Sequence, residues 1–382
     1  MAKTEFINQP EALAEFVSAI QDSDWLAVDT EFLREDTYWP ILCLIQVAAG
    51  DRLACIDPLA LSEQDMAPFR ELMLDPARIK VFHAARQDLE VFHRSWGALP
   101  TPVFDTQIAA SMLGHGDQIG YANLVQTVCG IELAKGHTRT DWRTRPLSAH
   151  AIEYAADDVR YLGPVYERLL DDLERTGRRE WLEEEFKTLC DERLYLPDPD
   201  NAWRRVKGYR KLRPKQLAIL TGLAEWREQE AVARDRPRRW IMKDEAMVDL
   251  ARRQPASVED MADMRDVPPA VRQKHGETIV AIVKSGQDRT PPAMAATPDR
   301  LTPAQDAQVD ALMALLRARC AEHEMSPAQV ATRKHLEALV RGDRDIPLLK
   351  GWRAAMAGRD LEKLLQGELS LRMDGEKLIT TS

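Results

Sequence analysis

The sequence has no pair of cysteines close enough to clamp a metal or exchange a disulfide. Cys43, Cys55, Cys129, Cys190 and Cys320 are scattered, and no C-x-x-C spacing occurs. That excludes a zinc knuckle and a dithiol redox motif, and an odd, sparse set fits reduced thiols in a cytoplasmic protein. No apolar run is long enough to cross a bilayer. Glu5, Glu11 and Glu15 interrupt the start of the chain, so neither a secretory signal nor a membrane association is expected. A glycine-rich turn is also missing after the first apolar strand. Asp29-Thr30-Glu31-Phe32-Leu33 stands there instead, which excludes a dinucleotide-binding fingerprint.

What the sequence does have is unevenly placed charge. Its 382 residues carry a net charge of −10, and the length points to two or three domains. Residues 1–200 hold 19 Lys and Arg against 36 Asp and Glu, a net of −17. Residues 201–290 hold 20 against 13, a net of +7, and residues 291–382 are balanced. An acidic body is thus joined to a basic module. A phosphate backbone is drawn to the basic module and needs metal cations to approach the acidic body. Solvated charged faces explain the same split without any nucleic acid.

The first half alternates two periods. Strands are predicted at Trp25 to Phe32, Ile41 to Ala49, Leu53 to Ile56, Ile79 to Phe82 and Val103-Phe104. Helices are predicted near 10–21, 63–74, 85–96, 106–113, 121–129 and 148–173. This is an α/β pattern, and the short early connections favour a mixed sheet flanked by helices. Beyond Pro197-Asp198-Pro199 strand signals stop. Residues 212–285 and 302–373 read as helical segments, separated by the linker Pro291 to Pro298.

Asp29 and Glu31 lie two apart on the first of these strands, so their side chains share a face. Adjacent carboxylates raise each other's pKa unless a cation lies between them, and hard oxygen donors suit Mg²⁺ or Mn²⁺. Asp88 opens a helix after the fourth strand, where complementing the helix dipole is the simpler explanation. Tyr154 and Asp158 are one turn apart on one helix face, and Asp157 points away from that face. None of these signals is diagnostic alone.

In order they are specific. Val28-Asp29-Thr30-Glu31-Phe32, His83-Ala84 with Asp88-Leu89, Phe104-Asp105-Thr106-Gln107, Arg139-Thr140-Asp141-Trp142 with Arg145-Pro146-Leu147, and Glu153-Tyr154-Ala155-Ala156-Asp157-Asp158-Val159 together resemble bacterial ribonuclease D. That family lies in the tyrosine subclass of the DEDD 3′–5′ exonucleases. Leu212-Arg213-Pro214-Lys215-Gln216-Leu217 and Leu348-Leu349-Lys350-Gly351-Trp352-Arg353 resemble the helicase-and-RNase-D C-terminal (HRDC) domain, present twice.

The resemblance implies a ribonuclease-H-like exonuclease domain over 1–200, a first HRDC bundle over 208–290 and a second over 302–375. It implies hydrolysis from RNA 3′ ends, releasing 5′-mononucleotides in the maturation of precursor tRNA; a monomer is the default expectation. Catalysis falls to Asp29, Glu31, Asp88, Tyr154 and Asp158. The four carboxylates hold two divalent ions, Mg²⁺ or Mn²⁺, and Tyr154 orients the attacking water. Thr30 and Phe32 face the terminal nucleotide, while Lys135, Arg139 and Arg145 are candidates for phosphate contacts. His83 is expected to end a strand inside the fold rather than bind metal. The basic run from Arg204 to Lys215 is expected to hold the RNA body. Two other readings share these residues: a DNA 3′–5′ exonuclease, and a nucleic-acid-binding protein without catalysis.

Overall fold

The computed structural model describes residues 3–133, 140–264, 266–294 and 299–381. The chain divides into two compact units. One comprises residues 1–32, 42–194 and 299–382; the other comprises 33–41 and 195–298.

The first unit is built on a six-stranded mixed sheet. Its strands are β1 (Thr4–Ile7), β2 (Trp25–Leu33), β3 (Ile41–Ala49), β4 (Arg52–Ile56), β5 (Ile79–Phe82) and β6 (Val103–Asp105). The order across the sheet is β1-β4-β3-β2-β5-β6. β3 pairs antiparallel with β4 in register Ile45 to Ile56, while β1 runs parallel to β4, and β5 parallel to both β2 and β6. β3 is central and almost wholly buried, which is why Ile41-Leu42-Cys43-Leu44-Ile45 is an unbroken apolar run rather than an alternating one. Helices α1 (Pro10–Ile20), α2 (Glu63–Leu74), α3 (Arg86–Trp96), α4 (Thr106–Met112), α5 (Tyr121–Cys129), α6 (Ala149–Arg160), α7 (Leu162–Arg175) and α8 (Arg179–Leu189) accompany the sheet.

Three features differ from the expectation. β1 is an additional edge strand. The predicted helix 148–173 breaks at Tyr161, whose amide donates to the Tyr121 hydroxyl at 3.2 Å. And the chain ends in strands, not helix: β7 (Ser370–Asp374) and β8 (Lys377–Thr381) form an antiparallel hairpin. Its two-residue loop starts at Gly375, whose φ of 61° suits glycine.

Helices α13 (Pro303–Glu322), α14 (Pro327–Val330), α15 (Arg333–Val340), α16 (Gly351–Arg353) and α17 (Arg359–Gln366) precede that hairpin. Residues 299–382 cluster with the exonuclease core. The contacts explain why. Arg178 is buried and donates to the Met112 and His323 carbonyls, each at 2.7 Å. Trp181 stacks on Trp352 with centroids 5.1 Å apart, and Arg353 pairs with Glu185 at 2.7 Å. A Cβ on Gly114 would stand 1.9 Å from the Glu324 carbonyl oxygen, so only glycine permits this approach.

The second unit packs α9 (Pro214–Ala233), α10 (Arg238–Ile241), α11 (Asp244–Arg253) and α12 (Pro269–Asp288) around Trp203, Leu217, Leu220, Met247, Leu250 and Ile279. α9 and α12 come close at Gly286, where a Cβ would lie 2.8 Å from the Ile219 Cα. The β2–β3 connection, Leu33–Ile41, belongs to this unit. The buried Tyr38 hydroxyl donates to Glu228 at 2.6 Å and accepts from Arg238 at 2.9 Å. The Tyr38 and Trp39 amides both donate to Asp235 at 3.0 Å.

Candidate active site

β2 brings two carboxylates to one face. Leu26, Ala27 and Val28 are buried and anchor the strand, and beyond them Asp29 and Glu31 are only partly covered. Thr30, between them, is buried, and its hydroxyl donates to Asp88 Oδ1 at 2.6 Å. Strand β2 and helix α3 are therefore joined at the site itself.

Asp88 sits in the first turn of α3, held there by a residue the sequence analysis did not assign a role. Asp105, at the end of β6, accepts from the Ala84 amide at 3.1 Å and the Ala85 amide at 2.9 Å. It also caps α4 through the Gln107 amide at 2.8 Å. One carboxylate thus fixes the turn that enters α3, including Ala84 at a φ of 59°. Its sequence signal was the N-cap position in Phe104-Asp105-Thr106-Gln107.

α6 carries Tyr154 and Asp158. Ser148 caps it, and Ala151, Ala155, Ala156 and Val159 form its buried face. Asp157 faces elsewhere and accepts from Arg160 at 2.7 Å; Arg160 also holds Glu153 at 2.7 Å and Thr4 at 3.2 Å.

The electrostatics tie these groups together. Burial raises the Asp29 carboxyl well above its ordinary range, and Asp88, Asp158 and Glu31 raise it further. Glu31 is pushed up to about 8, by burial and then by Asp158 and Asp88. Asp88 rises to about 7 through burial, opposed by its Thr30 hydrogen bond. Asp158 also rises to about 7, through burial and its neighbour Asp157. The Tyr154 phenol is raised by burial and then by Asp158, Glu31 and Asp29. Asp29 is thus within electrostatic reach of Glu31, Asp88, Asp158 and Tyr154, and Glu31 of Asp88, Asp158 and Tyr154. Tyr121, which the sequence analysis passed over, belongs to the same neighbourhood: burial raises its phenol first, and Asp158 and Asp29 add to it.

Four carboxylates this close favour shared protons or a divalent cation. Among the described residues, no group of three His, Cys, Asp or Glu side chains is arranged to hold a metal ion as it stands. The donor chemistry nevertheless fits hard oxygen-loving ions, because a cation offsets both the burial of these carboxylates and the repulsion felt at Asp29 and Glu31. His83 is occupied otherwise, with Nδ1 2.9 Å from the Thr106 hydroxyl and Nε2 3.0 Å from the Ile119 carbonyl.

Arg145 differs from its expectation as a phosphate contact. Its Nε and Nη2 donate to Asp57 at 2.6 and 2.7 Å, Nη2 also to the Cys43 carbonyl at 2.8 Å, and Nη1 to the Trp142 and Thr144 carbonyls at 2.6 and 3.0 Å. All five guanidinium donors are spent inside the protein. Phe32 is half-buried. Lys135 and Arg139 lie outside the described residues. In the second unit Arg204, Arg205, Lys207, Arg210, Lys211, Arg213 and Lys215 are all exposed.

Comparison with known proteins accords with this geometry. A family model described as a 3′–5′ exonuclease matches residues 4–174, and the HRDC domain model matches residues 216–283. Ribonuclease D of Granulibacter bethesdensis is 40% identical over 382 residues, covering 98% of this chain and 96% of the relative. Ribonuclease D of Gluconacetobacter diazotrophicus is 38% identical, covering 97% and 95%. The crystal structure of Escherichia coli RNase D, an exoribonuclease involved in structured RNA processing, superposes with a TM-score of 0.82 at 32% identity, covering 96% of this chain and 99% of that one. The chain belongs to the ribonuclease D family and is a 3′–5′ exoribonuclease.

Proposed function

We propose that this enzyme trims the 3′ ends of structured RNA, precursor tRNA in particular, at a two-metal centre formed by Asp29, Glu31, Asp88 and Asp158. The observation that supports the reading is the clustering of Asp88, Asp158 and Glu31 about Asp29, with Tyr154 within reach of Asp158, Glu31 and Asp29. Asp29, Glu31 and Asp158 would hold one ion; Asp29 and Asp88 would hold the other. When bound, the ions supply the charge that activates water and stabilises the departing 3′ oxygen.

The chain's own residues do the rest. Thr30 holds Asp88 in place through its hydroxyl. Tyr154, with its pKa raised, keeps its proton at neutral pH, so it orients the water by hydrogen bonding rather than acting as a base. The Thr30 backbone and the Phe32 ring meet the last nucleotide, and stacking on Phe32 tolerates any base. Lys135 and Arg139 contact phosphates. The exposed run from Arg204 to Lys215 holds the RNA body.

By the same reading the exonuclease domain spans 1–200 and the HRDC domain 208–290. Residues 302–375 are a diverged second HRDC-like bundle. The enzyme works in the cytoplasm as a monomer.

The test is a 5′-labelled RNA with either an open or a blocked 3′ hydroxyl. Stepwise shortening with release of 5′-mononucleotides is expected with Mg²⁺ or Mn²⁺ and an open end, and none in EDTA. Internal cuts would contradict the reading, and equal rates on matched DNA would favour a DNA exonuclease.

A further inference from the structure

The motif from Asp141 to Leu147 has no place in the mechanism so far, yet it contains a heavily anchored irregular segment near the site. No helix or strand covers Thr140 to Leu147. The segment is held instead by the turn bond from the Thr144 amide to the Asp141 carbonyl at 3.0 Å and by the Arg145 guanidinium. That guanidinium grips Asp57, which is 1% exposed, and two carbonyls of its own segment. The effect is to fix Trp142, only 6% exposed, with its indole nearly parallel to the Tyr154 ring: 19° between planes and 6.5 Å between centroids.

Tyr154 needs such a support. Among the described residues no hydrogen bond holds its hydroxyl, so the direction of that hydroxyl depends on how the ring is packed. Its buried helix neighbours Ala151 and Ala155 are too short to bracket a phenol ring. Among the described residues, the indole of Trp142 is the one aromatic ring that flanks it.

We propose that Trp142 is a positioning residue for the nuclease reaction: anchored through Arg145 and Asp57, it fixes the Tyr154 ring so that the hydroxyl faces the carboxylate site. This rests on the reading of Tyr154 as the water-orienting group. Trp142, buried behind the Tyr154 ring, acts in this proposal through Tyr154 and not on the RNA itself. Removing the wall lets the ring swing, which lowers the fraction of enzyme competent for the chemical step and leaves RNA affinity alone.

The experiment is a double-mutant cycle in steady-state RNA cleavage with Mg²⁺, using Trp142→Leu, Trp142→Phe, Tyr154→Phe and Trp142→Leu/Tyr154→Phe, with a thermal melt of each protein. Trp142→Leu is expected to lower kcat about tenfold, equivalent to about 1.4 kcal/mol, with KM for RNA within about twofold. Trp142→Phe should recover most of the loss. In the Tyr154→Phe background, Trp142→Leu should change kcat by less than about twofold, because the group it positions is gone. Equal losses in both backgrounds would overturn the proposal, as would a rise in KM with kcat intact. If Tyr154→Phe alone left kcat unchanged, the assignment of Tyr154 would fail first, and the single variant would show it. Should Trp142→Leu not fold, Arg145→Lys loosens the same anchor and must show the same dependence on the Tyr154 hydroxyl.

Discussion

Replacing Asp158 by Asn should make the metal-free protein more stable while destroying its activity. The Asp158 carboxyl is held at about 7, against an ordinary value of 3.8, by burial and by Asp157. Without a cation, the folded protein retains a proton there that the unfolded chain loses above pH 4. Stability therefore falls as pH rises from about 4 to about 7, and the full penalty is present above that range. A shift from 3.8 to about 7 sets an upper bound of about 4 kcal/mol. Asp158 is half-buried and keeps some contact with solvent, so screening reduces this to roughly 1–2 kcal/mol. No hydrogen bond to Asp158 is present among the described residues, so the amide breaks none.

For a unit of this size, the gain corresponds to roughly 2–8 °C in Tm. The assay is a thermal melt in EDTA at pH 5 and pH 8, with a parallel series in Mg²⁺. Asp158→Asn should melt higher than the parent at pH 8, with a much smaller difference at pH 5, and should lose most of the Mg²⁺-induced stabilisation. A lower Tm at pH 8 in EDTA, or a gain of equal size at both pH values, would show that the Asp158 charge does not oppose folding.

Other expectations follow from particular contacts. Arg145→Ala leaves Asp57 buried and uncompensated, and should destabilise the exonuclease unit by about 3–5 kcal/mol in urea unfolding. Tyr38→Phe removes the hydroxyl between Glu228 and Arg238, and should cost about 1–3 kcal/mol in the stability of the helical unit, read by the same method. Reversing Lys211, Arg213 and Lys215 to glutamate should weaken RNA binding and flatten its salt dependence, with the melt unchanged. An unaltered salt slope would remove RNA binding from that run.

The strands and helices that position the site were legible because their periodicity is local. Trp25 to Phe32 reads as a strand whose side chains alternate, and Ala151, Ala155 and Val159 mark the inner face of the helix that carries Tyr154. What escaped the sequence depends on distant partners. β1 has four residues and exists because β4, about fifty positions later, pairs with it. The helix break at Tyr161 depends on a hydroxyl forty residues away. The terminal hairpin was announced by Asp374-Gly375 between alternating residues, but the helical composition before it obscured the signal. Leu33–Ile41 looked like a connection inside one domain, and nothing local reveals that Tyr38 is buried among helices of the other unit. At the site, the four acids and Tyr154 stood out by their order, whereas Asp105, Tyr121 and Trp142 act through neighbours that only the fold supplies. Arg145 was misread for the same reason: its partner, Asp57, lies 88 residues earlier.

The most direct test is the single-turnover rate of Asp29→Asn beside the parent enzyme, at saturating Mg²⁺, on an RNA with a free 3′ hydroxyl. Asp29 is the carboxylate that all three of its acidic neighbours perturb. Nucleotide release should fall by about a thousandfold or more while RNA still binds. Shortening at the parent rate would mean that the chemistry happens elsewhere on the molecule.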